Sequence, residues 1–205
     1  MIGIDSPELD DSRESVRFLA HAAKRFCFTR LYRRRVRLIY DWEKRDRYGR
    51  LLAYLKIDED IFNETILREG FAAVFLKFPF REDFRRRFER AALKARAEGR
   101  GLWSPVPYPV IGPGEAKSFL ERLASVRFRC TGIRRKGNLT LLEAGEGAFA
   151  ALIRKRDRNR FPDPERIRGR EISVTGLIED YRGQPQVMLS QPSQIEFLKS
   201  SELRR

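Results

Sequence analysis

The segment that most constrains the fold is residues 46–55, in which a charged turn runs directly into an apolar strand. Asp46 and Gly49 favour a tight turn, and the apolar residues 51–55 can be sheltered only as part of a sheet. Arg50 stands at the junction, where a fixed guanidinium can bind a phosphate. Taken alone, the stretch is better explained as an ordinary polar hairpin connection with a solvated arginine.

Charge indicates the kind of partner. The 205 residues include 43 Lys and Arg against 29 Asp and Glu, a formal net charge of +14. Basic groups placed on phosphates release condensed counterions, so nucleic acid, single-stranded in particular, is the leading predicted partner. A membrane surface ranks second, because no run approaches the ~18 apolar residues that a span needs. We expect a monomer.

Cysteine and histidine chemistry is not indicated. Cys27 and Cys130 stand far apart without a CxxC pair, which suggests neither a zinc site nor a disulfide framework. Both are predicted to be small buried hydrophobes. The single His21 is predicted to be an ordinary helix residue.

Four acids crowd the opening loop of this basic chain: Asp5, Glu8, Asp10 and Asp11. Such hard oxygen ligands suit a divalent cation. Capping of the following helix by Asp11 or Ser12 is the alternative, which explains Asp5 and Glu8 less well.

Apolar periodicity predicts the elements of the first half. A helix is expected over 13–31, an antiparallel hairpin from strands 36–40 and 51–57, and further helices over 63–70 and 82–99.

The second half begins after a proline-rich stretch, residues 104–114, which is the best predicted domain boundary. A short helical stretch near 116–123 follows. Five strands with a break between the third and the fourth are then expected, the order of an OB fold: 126–133, 139–143, 149–154, 171–179 and 186–189.

Motifs in the first half closely resemble the thermonuclease family, typified by staphylococcal nuclease. They occur in the family's order: Ile2-Gly3-Ile4-Asp5-Ser6-Pro7-Glu8, Asp46-Arg47-Tyr48-Gly49-Arg50-Leu51-Leu52-Ala53-Tyr54, Asn63-Glu64, Arg68-Glu69-Gly70-Phe71-Ala72 and Gly101-Leu102-Trp103-Ser104. The resemblance implies an OB-type barrel with packed helices and calcium-dependent hydrolysis of DNA and RNA phosphodiesters.

The resemblance also implies roles for individual residues. Asp5 matches a calcium ligand, Ser6 stands where a backbone carbonyl joins the ion, and Glu8 matches the glutamate that activates water. Arg50 matches an arginine that neutralises the phosphate in the transition state.

Nucleotide contacts follow in the same way. Arg47 and Tyr48 match residues of the nucleotide-phosphate pocket. Tyrosines expected after Gly70 are not evident, and Phe75 and Phe78 lie there instead, which would keep stacking but lose hydroxyl contacts.

The start of the sequence departs from the family pattern. The family supplies another calcium aspartate and a first arginine from strands preceding the Ile-Asp-Ser-Pro-Glu motif, whereas this sequence begins inside the third strand. One expectation is therefore that Met1 is an internal methionine of a longer, here truncated, protein. The other is a degenerate barrel that binds nucleic acid without cutting it. The compartment stays open: cytoplasmic as the chain stands, secreted or periplasmic if an upstream signal preceded it.

The second half resembles small nucleic-acid-binding OB domains at 169–176 and 181–186. A plain structural barrel is the alternative, and the basic residues favour binding. The predicted contacts are Arg127, Arg129, Arg134, Arg135, Lys136, Tyr181 and Arg182.

The prediction as a whole is an α+β protein of two domains. Residues 1–103 form an OB barrel of the staphylococcal nuclease type that lacks its first strands, 104–114 a linker, and 115–205 a second, five-stranded OB barrel. The predicted function is calcium-dependent nuclease activity with Glu8 and Arg50 as catalytic residues and Asp5 and Ser6 as Ca²⁺ ligands, while the second domain holds the nucleic acid. The alternative is nucleic-acid binding without hydrolysis.

Overall fold

The chain folds as two units, Met1–Ser104 and Pro105–Arg205. The structure, a computed structural model, describes residues 1–104, 106, 108–145 and 147–198.

The first unit combines three helices with five short or medium strands. The helices are α1 (Glu14–Leu31), α2 (Phe62–Arg68) and α3 (Glu82–Ala97), and the strands are β1 (Ile4–Asp5), β2 (Arg37–Arg45), β3 (Leu51–Ile57), β4 (Asp60–Ile61) and β5 (Ala73–Val74). The three helices predicted for this half are thereby confirmed, each to within two residues at either end.

The strands of the first unit form two separate sheets. β2, β3 and β4 make an antiparallel three-stranded sheet, and β1 pairs antiparallel with β5. Between residues 1 and 104, all of which the structure describes, these strands do not close into a barrel. The first unit is therefore an open arrangement of two small sheets with three helices.

The predicted hairpin is confirmed, although β2 is longer than expected. It runs on to Arg45, so only residues 46–49 make the turn instead of the whole stretch 41–50. One face of the hairpin packs on α3, since the buried ring of Tyr54 lies 4.1 Å from the ring of Phe84. That contact anchors β3, the strand that begins directly after Arg50.

Helix α1 begins one residue later than predicted and without a side-chain cap. Its N-cap is Arg13, so the expectation of capping by Asp11 or Ser12 is wrong. Asp11 instead accepts a hydrogen bond from the Arg13 backbone N–H at 2.8 Å and pairs with its guanidinium at 3.0 Å. The helix buries Ala20, Ala22, Ala23 and Phe26.

The second unit is built on a closed five-stranded barrel. Its described strands are β6 (Val110–Ile111), β7 (Leu123–Lys136), β8 (Leu139–Ala144), β9 (Phe149–Arg154), β10 (Glu171–Tyr181), β11 (Gln184–Leu189) and β12 (Ile195–Phe197). Strands pair in the order β7, β8, β9, β11 and β10, and the pairing of β10 with β7 closes the circle. β6 and β12 attach at the sides.

The barrel interior explains why these five segments were recognisable in the sequence. Alternate residues such as Val126, Phe128, Ile172 and Val174 are buried in one apolar cluster. The break between β9 and β10 holds a 3₁₀ turn and the four-residue helix α4 (Pro164–Ile167). The predicted helical stretch at 116–123 is instead a 3₁₀ helix over Pro113–Phe119, because residues from Leu123 onward join β7.

The predicted α+β class with a five-stranded barrel is confirmed. Both cysteines are free, with Cys130 buried and Cys27 half-buried, and His21 lies in α1. Among the described residues, no helix combines the length and the apolar character that a bilayer span requires.

Candidate active site

The N-terminal segment is held between β3 and β5 by backbone hydrogen bonds. The Ile2 N–H donates to the Ala53 carbonyl at 3.1 Å, and the Phe75 N–H donates to the Gly3 carbonyl at 3.0 Å. Beyond them, Ile4 pairs with Val74 and Asp5 with Ala73. The position of Asp5 is therefore set by sheet pairing and not by a free loop.

Glycine is required at position 3 for two reasons, the backbone conformation and the lack of space for a side chain. Its φ is +72°, and a Cβ would lie 2.8 Å from the ring of Phe80. A side chain here would push the strand away from Phe80, and with it the carboxylate two residues on.

Asn63 fastens the same segment from the helix side. Its side chain is fully buried; Oδ1 accepts from the Leu55 N–H at 2.9 Å and Nδ2 donates to the Ile2 carbonyl at 2.8 Å. One amide thus satisfies two backbone groups, one in β3 and one in the segment before β1, a demanding role for a buried polar side chain.

Asp5, Ser6 and Glu8 come together in one pocket of about 340 Å³. Strand β1 and the loop after it form one wall, and α1 forms the other. The pocket is lined by Met1, Ile4, Asp5, Ser6, Pro7, Glu8, Leu9, Ala20, Ala23, Lys24, Cys27 and Ile66. Asp5 and Glu8 are both exposed, and the Ser6 hydroxyl is turned aside to donate to the Phe71 carbonyl at 3.0 Å.

The turn at 46–49 is organised by the carboxylate of Asp46. Its Oδ1 accepts from the backbone N–H groups of Tyr48 and Arg50, at 2.9 and 3.0 Å, and the Gly49 N–H donates to the Asp46 carbonyl at 2.9 Å. Gly49 has a φ of +77°, the left-handed geometry that glycine adopts without strain.

Arg50 is oriented by the same carboxylate. Its Nε lies 2.6 Å from Asp46 Oδ2, while the side chain is 75% exposed. Burial by itself would raise the pKa of Asp46, but the hydrogen bonds from the Arg50 side chain and from the two backbone N–H groups hold it below its usual value. Asp46 consequently stays ionised and keeps Arg50 in place near neutral pH.

The turn that carries Arg50 is connected to the N-terminal segment through β3. The carbonyl of Ala53, the third residue after Arg50, accepts the backbone hydrogen bond from the Ile2 N–H at 3.1 Å. The strand that follows Arg50 therefore lies beside the segment that leads to Asp5, although Arg50 itself does not line the pocket.

Tyr48 lies between two guanidinium groups at the surface. The Cζ atoms of Arg47 and Arg50 lie 4.7 and 5.3 Å from the centre of its ring, and an Arg47 terminal nitrogen donates to its hydroxyl at 2.6 Å. The ring is 67% exposed. An exposed ring with two flanking cations suits a base and its phosphates.

Metal ligands are sparse in this region. In the part of the chain that the structure describes, no group of three or more His, Cys, Asp or Glu residues converges as metal ligands would. The hard-oxygen donors that do share a pocket are Asp5 and Glu8.

The basic residues predicted on the barrel lie in the second unit at two places. Arg127 and Arg129 are exposed on β7, where they alternate with the buried Val126 and Phe128 and so project outward. The others lie at or beside hairpin tips: Arg134, Arg135 and Lys136 at the end of β7, and Tyr181 and Arg182 at the end of β10 and in the turn that follows it.

The residues at the hairpin tips differ in whether their side chains already form ion pairs or ring contacts. Arg134 is bound to Glu143 at 2.6 Å, whereas Arg135 and Lys136 make no ion pair within the described residues. Tyr181 is 49% exposed with the Arg182 guanidinium 5.4 Å from its ring centre. The backbone N–H of Lys155 donates to the Asn138 carbonyl at 2.7 Å. This hydrogen bond places Lys155, a further cation, beside the turn between β7 and β8.

Sequence reasoning missed two residues of the site. Lys24 lines the pocket from α1, and its helical spacing from Ala20, Ala23 and Cys27 is the signal that could have placed it there. Asn63 was part of a recognised motif, but its bridging role depends on a partner 61 residues away in the sequence.

Comparison with known proteins decides the family. The profile described as "Staphylococcal nuclease homologue" matches residues 1–105, half of the chain. The chain belongs to this family. The matched range contains the whole of the first unit, and with it Asp5, Glu8 and Arg50.

Individual relatives of the staphylococcal nuclease homologue family agree. The chain is 35% identical over 105 residues to "Thermonuclease" from Staphylococcus hyicus and 34% identical over 103 residues to "Thermonuclease" from Staphylococcus intermedius. These alignments cover 51% and 50% of this chain and 61% of each relative. A shorter match, 35% over 66 residues, is to "SPbeta prophage-derived endonuclease YokF" of Bacillus subtilis, covering 32% of this chain and 22% of that protein.

The chain thus spans about three fifths of the length of the two thermonucleases that it matches. Residues of this chain can be compared with theirs only over that shared part.

Proposed function

We propose that this protein is a nuclease that hydrolyses phosphodiester bonds of DNA or RNA at the pocket of Asp5 and Glu8. The observation that carries the proposal is that two exposed carboxylates, Asp5 and Glu8, share a pocket, while the strand that follows Arg50 is hydrogen-bonded through Ala53 to Ile2 of the same N-terminal segment. Carboxylates beside a guanidinium are the groups that hydrolysis of a phosphodiester needs. Membership of the staphylococcal nuclease homologue family supports the same activity.

Glu8 is the general base of the proposed reaction. Its carboxylate accepts a proton from a water molecule, the water oxygen attacks phosphorus, and the bond from phosphorus to the leaving oxygen breaks. The leaving oxygen takes its proton from solvent. Glu8 is exposed and lines the pocket, so water reaches it freely.

Arg50 holds the phosphate during this step. Asp46 engages its Nε, and among the described residues no hydrogen bond uses its terminal nitrogens. These two nitrogens can grip two phosphate oxygens side by side as negative charge develops. Arg47 and Tyr48 contact the neighbouring phosphate and base.

Calcium is the proposed cofactor, with Asp5 and the Ser6 backbone carbonyl as ligands. Their hard oxygens fit the chemistry of the ion, but calcium takes about six to eight oxygens, so the protein would supply only part of the shell. Bound there, the ion would neutralise charge on the phosphate. Calorimetric titration of calcium into the wild type and Asp5→Asn tests the assignment, which predicts that the substitution weakens binding.

The barrel of the second unit is proposed to hold the nucleic acid. Support comes from its exposed cations Arg127, Arg129, Arg135 and Lys136 and from the exposed ring of Tyr181. Hairpin tips and the outer faces of strands are common contact surfaces of OB barrels, and rings accept bases of any sequence by stacking. A preference for single strands follows from that mode.

Hydrolysis assays test the nuclease proposal. Single-stranded DNA, duplex DNA and RNA are incubated with the full chain, with calcium or with a chelator, and the products are resolved by size. Glu8→Gln is expected to lower the rate by about 10²–10⁴-fold, and Arg50→Ala by about 10²–10³-fold.

The matched control is Asp10→Asn. Asp10 is an exposed acid of the same loop but does not line the pocket, so its removal should leave the rate unchanged. If Glu8→Gln and Arg50→Ala cut as fast as the wild type, the assigned roles are wrong.

Binding without hydrolysis is the second candidate function, favoured by the net charge of +14, which attracts nucleic acid whether or not a reaction follows. It predicts salt-sensitive binding to single strands, no cleavage with any divalent metal, and no response to Glu8→Gln.

A further inference from the structure

The end of α1 carries two exposed aromatic rings stacked on each other. The ring centres of Phe28 and Tyr32 are 4.8 Å apart with 24° between the planes. The residues are 50% and 55% exposed, although α1 buries Phe26 completely. These two rings therefore contribute little to the core, and the core does not explain them.

Arginines extend the stack at both ends. The Cζ of Arg25 lies 5.5 Å from the Phe28 ring centre, and the Cζ of Arg33 lies 5.2 Å from that of Tyr32. We call Arg25, Phe28, Tyr32 and Arg33 the α1 ladder. It alternates flat π surfaces with cations, which is how surfaces that bind single-stranded nucleic acid are built.

The sequence around the α1 ladder carries charged side chains of one sign. Residues 24–40 contain Lys24, Arg25, Arg30, Arg33, Arg34, Arg35 and Arg37, and no Asp or Glu. Arg34 is paired with a distant acid, Asp58, at 2.6 Å. A polyanion is the complementary partner of such a stretch.

The ladder adjoins the pocket of Asp5 and Glu8 on the same helix. Lys24 and Cys27 line that pocket, and Arg25 and Phe28 directly follow them, one position further round the helix. From Lys24 to Tyr32 the helix rises about 12 Å. A single-stranded nucleic acid with one phosphate in the pocket can therefore continue along the α1 ladder without leaving the surface of α1.

We propose that the α1 ladder is a binding site for single-stranded nucleic acid, with bases stacked on Phe28 and Tyr32 and phosphates paired with the flanking arginines. This inference rests on the proposed function for the class of ligand. A base that covers an outer ring face displaces a guanidinium, and the released arginine pairs with a phosphate. Stacking of a base is stronger than an exposed cation–π contact, so the exchange favours the bound state.

Anisotropy titrations test the proposal with the full chain in the Glu8→Gln background, so that the oligonucleotide stays intact. The probe is a fluorescein-labelled oligothymidylate, compared with an abasic oligonucleotide of equal length and charge. Phe28→Ala and Tyr32→Ala should each weaken binding of the oligothymidylate by about fivefold or more and change abasic binding little.

The matched control is Leu93→Ala, which removes a 65% exposed apolar side chain from α3 of the same unit. It should bind both oligonucleotides like its parent. Circular dichroism shows whether each variant is folded.

A local reporter separates the ladder from other binding surfaces of the chain. Tyr32→Trp places an indole in the stack, and oligothymidylate, but not the abasic probe, should quench its fluorescence beyond the quenching that the native Trp42 and Trp103 show in the parent. The proposal is overturned if this quenching is absent, or if the alanine variants lose affinity equally for the oligothymidylate and for the abasic oligonucleotide. So does ring-dependent binding to phosphatidylserine vesicles or polyglutamate with none to oligothymidylate.

The two proposals can fail separately. If the chain binds bases through the α1 ladder but never cleaves nucleic acid, the nuclease proposal is refuted and the α1 ladder proposal stands. Cleavage that depends on Glu8, with no quenching at position 32, would refute the ladder and keep the nuclease.

Discussion

Asp46 Oδ2 accepts a hydrogen bond from Arg50 Nε at 2.6 Å, while its other oxygen is held by the backbone N–H groups of Tyr48 and Arg50. One carboxylate thereby shapes the turn and aims the guanidinium that the turn carries. Two consequences of the carboxylate can be separated by substitution, because an amide can replace its acceptor role but not its charge.

Asp46→Asn should keep the turn and loosen Arg50. Its amide oxygen can still accept the two backbone hydrogen bonds, and exposed ion pairs are worth about 0–1 kcal/mol, so the free energy of unfolding should change little. Misplacement of Arg50 should slow cleavage by roughly 10- to 100-fold. Urea titration and the rate of DNA hydrolysis measure the two effects; unchanged cleavage would show that Asp46 does not position Arg50.

Asn63→Ala should destabilise the first unit by about 1–3 kcal/mol, because the Leu55 N–H and the Ile2 carbonyl lose their buried partner. Release of the Ile2 segment should also displace Asp5 and weaken calcium binding. Thermal unfolding and calorimetry test both effects. Thr65→Ala on the same helix, whose hydroxyl makes only a long 3.5 Å contact to the Ile61 carbonyl, is the control and should change both far less.

Gly70→Ala should cost roughly 3 kcal/mol or more, since two penalties combine. The residue has a φ of +75°, and a Cβ would lie 2.2 Å from the Arg100 carbonyl oxygen, where the chain after α2 passes the end of α3. Gly49→Ala shares the positive φ of +77° but has nothing within 4 Å, so it should cost only about 1 kcal/mol. Equal losses in the two variants would mean that the close approach carries no energy.

Tyr54 should make the first unit sensitive to alkaline pH. Burial, and then the hydrogen bond of its hydroxyl to Asp41 Oδ2 at 2.6 Å, raise the pKa of Tyr54 well above its usual value. A folded-state pKa above the unfolded one adds stability that is complete below the unfolded pKa of about 10 and is lost as pH rises beyond it.

Tyr54→Phe is the corresponding test. It should cost about 1.5–3 kcal/mol at pH 7, because Asp41 loses a hydrogen bond made to its charged form. The variant should also lose part of the decline in unfolding free energy between pH 9 and 11. A decline as steep as that of the wild type would exclude Tyr54 as its source.

Local chemistry made much of this molecule predictable. The turn residues Asp46 and Gly49 predicted the hairpin. Helical periodicity predicted α1, α2 and α3, because the spacing of apolar residues indicates which face of a helix is buried. The barrel strands were recognisable for the same reason, since β7 alternates inward residues such as Phe128 with outward ones such as Arg129. The N-cap at Arg13 was not predictable from the sequence, because the Asp11 carboxylate can either cap the helix or pair with an arginine. In the structure it pairs with Arg13.

The sequence by itself determined the residue types of the candidate site: carboxylates at 5 and 8, and an arginine behind a turn at 50. Only the tertiary structure decided that Asp5 and Glu8 share one pocket, because β1 reaches its place through pairing with β5 and through the amide of Asn63. It also decided that Lys24 enters the pocket while Phe28 and Tyr32 stay at the surface. Helical spacing groups side chains on a face, but which face meets solvent depends on what the rest of the chain packs against it.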